Sequence, residues 1–191
     1  MVPAGAPRPW RLNCFTVPLV SRFSTPSGPE GASLTPKLGH TTLVPVLRAH
    51  AFTLGLSDPQ VEALAALAAP VTFEENQVVL ESGERSTSFY LMVEGSVAVE
   101  LRTPRYAVCV QAVGPGQVFG WSALLDHQDT VFQVRSRERS TALRLDGAAL
   151  TAAFQTDSQL GVEILRRTLQ VVAGRVKATE LRFAEMCGVK A

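Results

Sequence analysis

No charge of one sign dominates this chain. Its 191 residues carry 18 basic and 17 acidic side chains, a formal net charge of +1. No global field therefore marks nucleic acid or an anionic membrane as the default partner. Cysteine is scarce: Cys14, Cys109 and Cys187 are far apart and odd in number. They form no CxxC pair and no disulfide framework, which predicts a reducing cytoplasm. The three histidines, His40, His50 and His127, are too scattered for a metal cluster. No apolar run is long enough to span a bilayer. The longest candidate, around Val171 to Ala173, is broken by Arg and Lys within a turn or two. Ser/His/Asp and Cys/His arrangements, a P-loop and an HExxH string are all missing, so the familiar enzyme classes built on them are not expected. A cupin-type metal enzyme would need a His-x-His pair and a carboxylate on strands, and the histidines do not provide it.

What is present is apolar. Hydrophobic residues make up 46% of the chain and charged residues 18%, enough for one domain's core plus a tail. The first forty residues stand apart, with seven of the twelve prolines. Up to Ser57 the only acid is Glu30, against Arg8, Arg11, Arg22, Lys37 and Arg48. The stretch reads as a disordered tail or an over-extended start. The sharper reading is a targeting peptide, since transit peptides are also acid-poor, but the prolines break any long amphipathic helix.

Order is predicted from near Thr42. Leu43 to Phe52 reads as a short helix with Leu43, Val46, Leu47 and Ala51 on one face. Ser57 is an N-cap with Gln60 as its capping-box partner, and Pro59 fits the first turn. Val61, Leu64, Ala65 and Ala68 continue the helix, and Pro70 is expected to end it. From Val71 the period changes from 3.6 to 2. Short strands are predicted at Val71–Phe73, Gln77–Leu80, Phe89–Val93, Ser96–Leu101, Tyr106–Val113, Val131–Ser136 and Thr141–Leu145, with turn residues between them. Such a series implies an antiparallel barrel, roll or sandwich. Trp121 to Leu125 interrupts it as a single helical turn.

After Leu145 the helical period returns. Asp146 caps a short helix through Phe154, and Asp157 or Ser158 caps a long one. Leu165, Leu169, Val172, Val176, Thr179, Phe183 and Met186 follow one another at spacings of 4, 3, 4, 3, 4 and 3, a heptad seam. At 1.5 Å per residue, about 25 residues span nearly 40 Å, more than the surface of a small roll. The seam is therefore expected to be a homodimer interface, with Gly174 beside it.

The order of elements resembles the cyclic-nucleotide-binding domain, the effector domain of the catabolite activator and its FNR-like relatives. Gly83-Glu84, Phe89-Tyr90-Leu91, Glu94-Gly95, Gly114-Pro115-Gly116, Phe119-Gly120 and Ala123-Leu124-Leu125 carry the resemblance. Together they cover most of the chain from about Thr42 to Phe183. It implies an α+β, mainly β fold: an antiparallel, jelly-roll-like β-roll with N-terminal helices, an embedded helical turn and a long C-terminal helix. In the family the embedded turn is a phosphate-binding cassette, where main-chain N–H groups meet a cyclic phosphate. A family Glu holds the ribose and a family Arg neutralises the phosphate. Here the Glu position is Trp121. The Arg position falls on Thr130, or on Asp129 if the alignment slips by one. Losing a desolvated Arg–phosphate pair removes one of the stronger contacts a site can make. The usual mode of cyclic AMP or cyclic GMP binding is thus not expected, whereas another small anion is.

The candidate ligand contacts are Gly120, Trp121, Ser122, Ala123, Leu124, Thr130 and Thr179. Thr179 aligns with a family hydroxyl that meets the nucleobase, and it is also a seam residue. Trp121 is either core or a stacking platform. The expected organisation is a tail over 1–41, helices over 42–70, a roll over 71–156 and the long helix over 157–187. No cofactor, no metal, no membrane and no direct DNA contact are expected, since no helix-turn-helix follows the long helix. The expected role is a non-enzymatic, stand-alone sensor that signals through its helix. The alternative is a degenerate domain that binds no ligand and serves as a protein-interaction scaffold.

Overall fold

A computed structural model of the chain describes residues 17–18, 40–103, 105–125 and 129–188. The elements run β1 (Val17–Pro18), α1 (His40–Ala49), α2 (Asp58–Leu67), β2 (Ala68–Phe73), β3 (Val78–Leu80), β4 (Ser88–Glu94), β5 (Val97–Arg102) and β6 (Tyr106–Val113). There follow β7 (Val118–Phe119), a 3-10 turn (Trp121–Leu124), β8 (Gln133–Ser136), β9 (Ser140–Asp146), α3 (Gly147–Thr156) and α4 (Ser158–Met186). The strands form two antiparallel sheets, ordered β1-β6-β5-β8-β3 and β2-β9-β4-β7. This is the expected β-roll, with helices before it, a turn within it and a long helix after it.

The continuous apolar run of β4 follows from burial on both faces. Its side chains alternate as any strand's must. Phe89 and Leu91 join Leu143 and Leu145 of β9 in a core shared with Leu47, Leu64, Leu150, Leu160 and Ile164 of the four helices. Tyr90 and Met92 point the other way and meet Phe73, Val97, Val113, Phe119 and Val134 between the sheets. Each fully buried side chain of this size contributes roughly 1.5–3 kcal/mol of transfer free energy. The roll is thereby fixed to its helices through one doubly buried strand pair.

The helix starts follow their local chemistry. Ser57 and Gln60 form the capping box of α2, with the Ser57 N–H donating to the Gln60 side chain at 3.0 Å. A carboxylate oxygen of Asp146 accepts from the Ala149 N–H at 2.9 Å, and one of Asp157 accepts from the Leu160 N–H at 3.0 Å. Two boundaries differ from expectation. The α2 helix stops at Leu67, and Pro70 lies inside β2 rather than at a helix end. The β2 strand is at the edge of its sheet, where the missing N–H of proline leaves no ladder bond unmade. Within the segment read as a tail, Val17 and Pro18 pair with Ala107 and Tyr106 of β6, and α1 already starts at His40. The rest of that reading, over 1–16 and 19–39, falls outside the described residues, as do Cys14 and His127.

A cleft between roll and helix

The short strand β7 delivers the chain to the candidate site. Val118 and Phe119 pair with Leu91 and Tyr90 of β4. The Phe119 ring stacks on Tyr90, with centroids 4.6 Å apart and planes 7° from parallel. Gly120 then takes a left-handed φ of 75° and starts the 3-10 turn. A residue with a Cβ rarely adopts that conformation. Within the turn the Ala123 N–H donates to Gly120 O and the Leu125 N–H to Ser122 O, both at 3.0 Å. That uses two of the amides expected to face a ligand. The N–H groups of Trp121 and Ser122 remain at the turn's open end, and no side chain caps it.

Beside this turn lies a cleft of about 1440 Å³, walled by the turn, by strands of the β1-containing sheet and by α4. Its wall brings together five of the seven candidate ligand residues: Gly120, Trp121, Ser122, Thr130 and Thr179. Ala123 and Leu124 do not line it. Leu124 packs into the helix-side core, and the Ala123 carbonyl lies against Gly147, at 2.5 Å from where a Cβ on that glycine would be. Trp121 is half-buried against the core and also present on the cleft wall.

Thr130, one of the two positions expected for the family arginine, has its hydroxyl engaged. It donates to the carbonyls of Glu81 at 2.7 Å and Glu84 at 3.1 Å. The Thr130 main chain closes the same junction, through Gly83 N–H to Thr130 O at 2.7 Å and Thr130 N–H to Glu84 O at 3.0 Å. This residue joins two loops at the cleft rim. The Thr179 hydroxyl is turned back along its own helix and donates to Arg175 O at 3.0 Å.

The sequence reading missed a row of arginines on α4. Arg167, Arg175 and Arg182 recur at steps of eight and seven, hence on one face of the helix. Each guanidinium reaches the body of the domain through carbonyl oxygens. Arg167 donates to Phe52 O at 2.6 Å and Leu54 O at 2.8 Å, Arg175 to Val118 O at 2.6 Å, and Arg182 to Val110 O at 2.8 Å. The signal was legible as polar residues where the roll-facing stripe of Leu160, Ile164, Thr168 and Val171 continues. Attention to the apolar seam hid it. Arg167 also shares Glu163 with Arg166, and those two cations hold the Glu163 carboxyl down to about 2.

The seam occupies a different face of α4. Leu169 and Phe183 are each 67% exposed and Met186 85%, with Leu165 and Val176 also exposed and Val172 half-buried. Val176 and Thr179 additionally touch the cleft.

Residues 70–157 match the family model described as the cyclic nucleotide-binding domain, and the fold agrees with it. Over this segment, just under half of its length, the chain is similar to the cyclic nucleotide-binding domain family. A protein of Rhodopseudomonas palustris named as a potassium channel is 31% identical over 116 residues, 60% of this chain and 27% of its own length. The chain thus spans about a quarter of that relative. Among solved structures, a cyclic nucleotide-binding protein of Geobacter metallireducens superposes with a TM-score of 0.61 at 22% identity, covering 69% of this chain and 96% of that one. The regulatory subunit of a cAMP-independent protein kinase A from Trypanosoma cruzi, bound to guanosine, superposes at 0.61 with 21% identity, covering 78% of this chain and 50% of that one. Among the described residues, no helix is long and apolar enough to cross a membrane, and no group of three metal-ligating side chains occurs.

Proposed function

We propose that this domain is a regulatory ligand sensor, not an enzyme, which binds a small molecule in the cleft between roll and α4 and signals through that helix. One observation carries the reading: the cleft wall combines the open end of the 3-10 turn with side chains of α4. A molecule lodged there touches both bodies, so its binding energy depends on where the helix lies. A ligand that binds one helix position better than another shifts the population between them. The helix suits this role. Its first turns are buried at Leu160, Ile164 and Thr168, while its distal half is mostly exposed and reaches the body through arginine–carbonyl contacts. Guanidinium bonds to carbonyls exchange with water and ligands more readily than a packed apolar face separates.

The output would be a second copy of the chain. The exposed seam from Leu165 to Met186 fits a parallel helix pair, which buries apolar side chains that are otherwise in water. An exposed, unbridged Cys187 suits a reducing compartment, and we place the domain in the cytoplasm.

The ligand class is where this chain parts from the family. With Thr130 spent on main-chain carbonyls, the turn alone offers a cyclic phosphate little charge. The guanosine-bound relative is a nucleoside complex without any phosphate, so a nucleobase-containing neutral molecule stays within the reading. A scaffold that binds no ligand is the second reading, favoured by the engaged Thr130 hydroxyl and by Trp121 occupying part of the wall. Thermal unfolding and calorimetric titration against cyclic AMP, cyclic GMP and guanosine decide between them. Saturable stabilisation by any of these that Trp121→Ala or Gly120→Ala alters supports the sensor. A melting curve indifferent to all three supports the scaffold.

A further inference from the structure

The cation that the turn lacks is present on the helix. Arg175 extends from α4 to the cleft wall. Its Nη2 donates to the carbonyl of Val118, two residues before Gly120. Its Nε is buried and has no hydrogen-bond partner. Among the described residues no carboxylate pairs with it. Buried charges in proteins are normally paired, because removing an ion from water costs far more than a lone carbonyl contact returns. Burial accordingly pushes the guanidinium's pKa down. The neighbourhood does not offset that cost: the cleft wall carries Arg137, Arg166, Arg167, Arg175 and Arg182 against the acids Asp129 and Glu138. A partly buried, incompletely bonded guanidinium on a wall with more arginines than acids leaves a place for one anion.

We propose that Arg175 is the anion-binding residue of this cleft, seating a phosphate or carboxylate group of the ligand from the helix side in place of the arginine absent at Thr130. The proposal rests on the cleft being a ligand site. It specifies that the ligand is an oxyanion and that its charge is answered by α4. The guanidinium fork presents several N–H donors in one plane and matches such oxyanions. Because Nη2 now rests on Val118 O, an arriving oxyanion competes for that bond and re-seats the helix. Recognition and signal thus share one side chain. A seat on the helix also differs in consequence from one inside the roll: the strongest contact is lost whenever α4 moves away.

Four probes with the full chain test this: pyrophosphate, citrate, cyclic AMP and guanosine. Melting temperature and calorimetric affinity are measured for the wild type, Arg175→Gln, Arg175→Met and Arg139→Gln. The last removes a cation that pairs with Glu74 at the exposed surface. At least one oxyanion is expected to stabilise the wild type saturably. Arg175→Gln should weaken it tenfold or more, and Arg139→Gln should leave it unchanged. Pyrophosphate against citrate tells phosphate from carboxylate. Equal affinity of Arg175→Gln and the wild type would overturn the assignment and leave the cleft a ligand site. Guanosine binding with no response to any anion would do the same. No binding by any of the four would count against both the cleft and its anion seat. A second readout needs no ligand. In anion-free buffer Arg175→Met, which removes an unpaired buried charge, should melt at or above the wild type. A fall of several degrees would show Arg175 to be a structural clasp and would also overturn the proposal.

Discussion

Gly120 approaches Ser88 so closely that a Cβ on it would stand 2.3 Å from the Ser88 carbonyl oxygen. The same added atom would meet the Tyr90 ring at 3.1 Å. Backbone and side chain thus restrict this position independently, on top of its φ of 75°. Gly120→Ala should cost about 1–3 kcal/mol from the left-handed conformation alone, and the clash with main chain adds to it. For a domain of this size each kcal/mol moves the melting temperature by roughly 2–4 °C, so a fall of about 5 °C or more is expected. An alanine variant that melts with the wild type would mean that the turn is not held as described.

The roll, the turn and the long helix were legible because each rests on local chemistry. The capping box at Ser57 and Gln60, and Asp146 and Asp157 as caps, all act within a few residues; the alternation along Val97 to Leu101 did not hold, because a bulge between Val99 and Glu100 buries Ala98 and leaves Leu101 exposed. Pro70 was misplaced because its tolerance depends on β2 being an edge strand, a property of the sheet and not of the segment. The candidate site was only half legible. The family pattern pointed to Gly120 through Leu124, and the 3-10 turn is there. Its spacing could not reveal that Ala123 and Leu124 face the core, or that the Thr130 hydroxyl closes the junction with Glu81 and Glu84. The arginine row was legible as a pattern, but the part played by Arg175 was not, for a related reason. Its meaning depends on Val118, 57 residues away, and a lone arginine in an amphipathic helix reads as solvated.

Gly174 offers the opposite case to Gly120. It lies within α4, and a Cβ there would meet nothing within 4 Å. Glycine in a helix interior costs about 0.8–1 kcal/mol relative to alanine. Gly174→Ala should therefore raise stability by roughly 0.5–1 kcal/mol, read as a higher denaturation midpoint at unchanged m-value. A destabilised Gly174→Ala would show that a second helix packs against this position.

His50 predicts the acid limb of the stability profile. Its ring is buried, with Nε2 donating to Met92 O at 2.9 Å and Nδ1 accepting from the Phe52 N–H at 3.2 Å. That bonding uses the neutral ring. Burial lowers its pKa below 6.5, and the Met92 carbonyl opposes the shift only in part. Between the two values the unfolded chain binds the proton and the native one does not, so stability is full above about pH 6.5. It is lost as the pH falls from there through the lowered native value. Urea midpoints measured from about pH 7.5 down to about pH 5 should show this slope, and His50→Gln should flatten it. A histidine variant with an undiminished slope would assign the acid sensitivity elsewhere.

The apolar seam of α4 leads to the test of assembly. Leu169, Phe183 and Met186 lie in water outside the cleft wall, although Val176 and Thr179 of the same seam touch it. Three repeats of heptad spacing place them with Leu165 and Val176 along one line. Single exposed apolar residues are ordinary, but several of them along one helix face make assembly the expectation to test. Sedimentation equilibrium of the full chain should give a dimer that dissociates on dilution. Leu169→Glu and Phe183→Glu should each yield a monomer, because like charges would then face each other across the pair. Both positions are exposed within one chain, so the roll itself should fold as before, with an unchanged far-ultraviolet circular dichroism spectrum. A wild-type monomer at the highest attainable concentration would sink the dimer. A dimer that survives both glutamates would move the interface to another face.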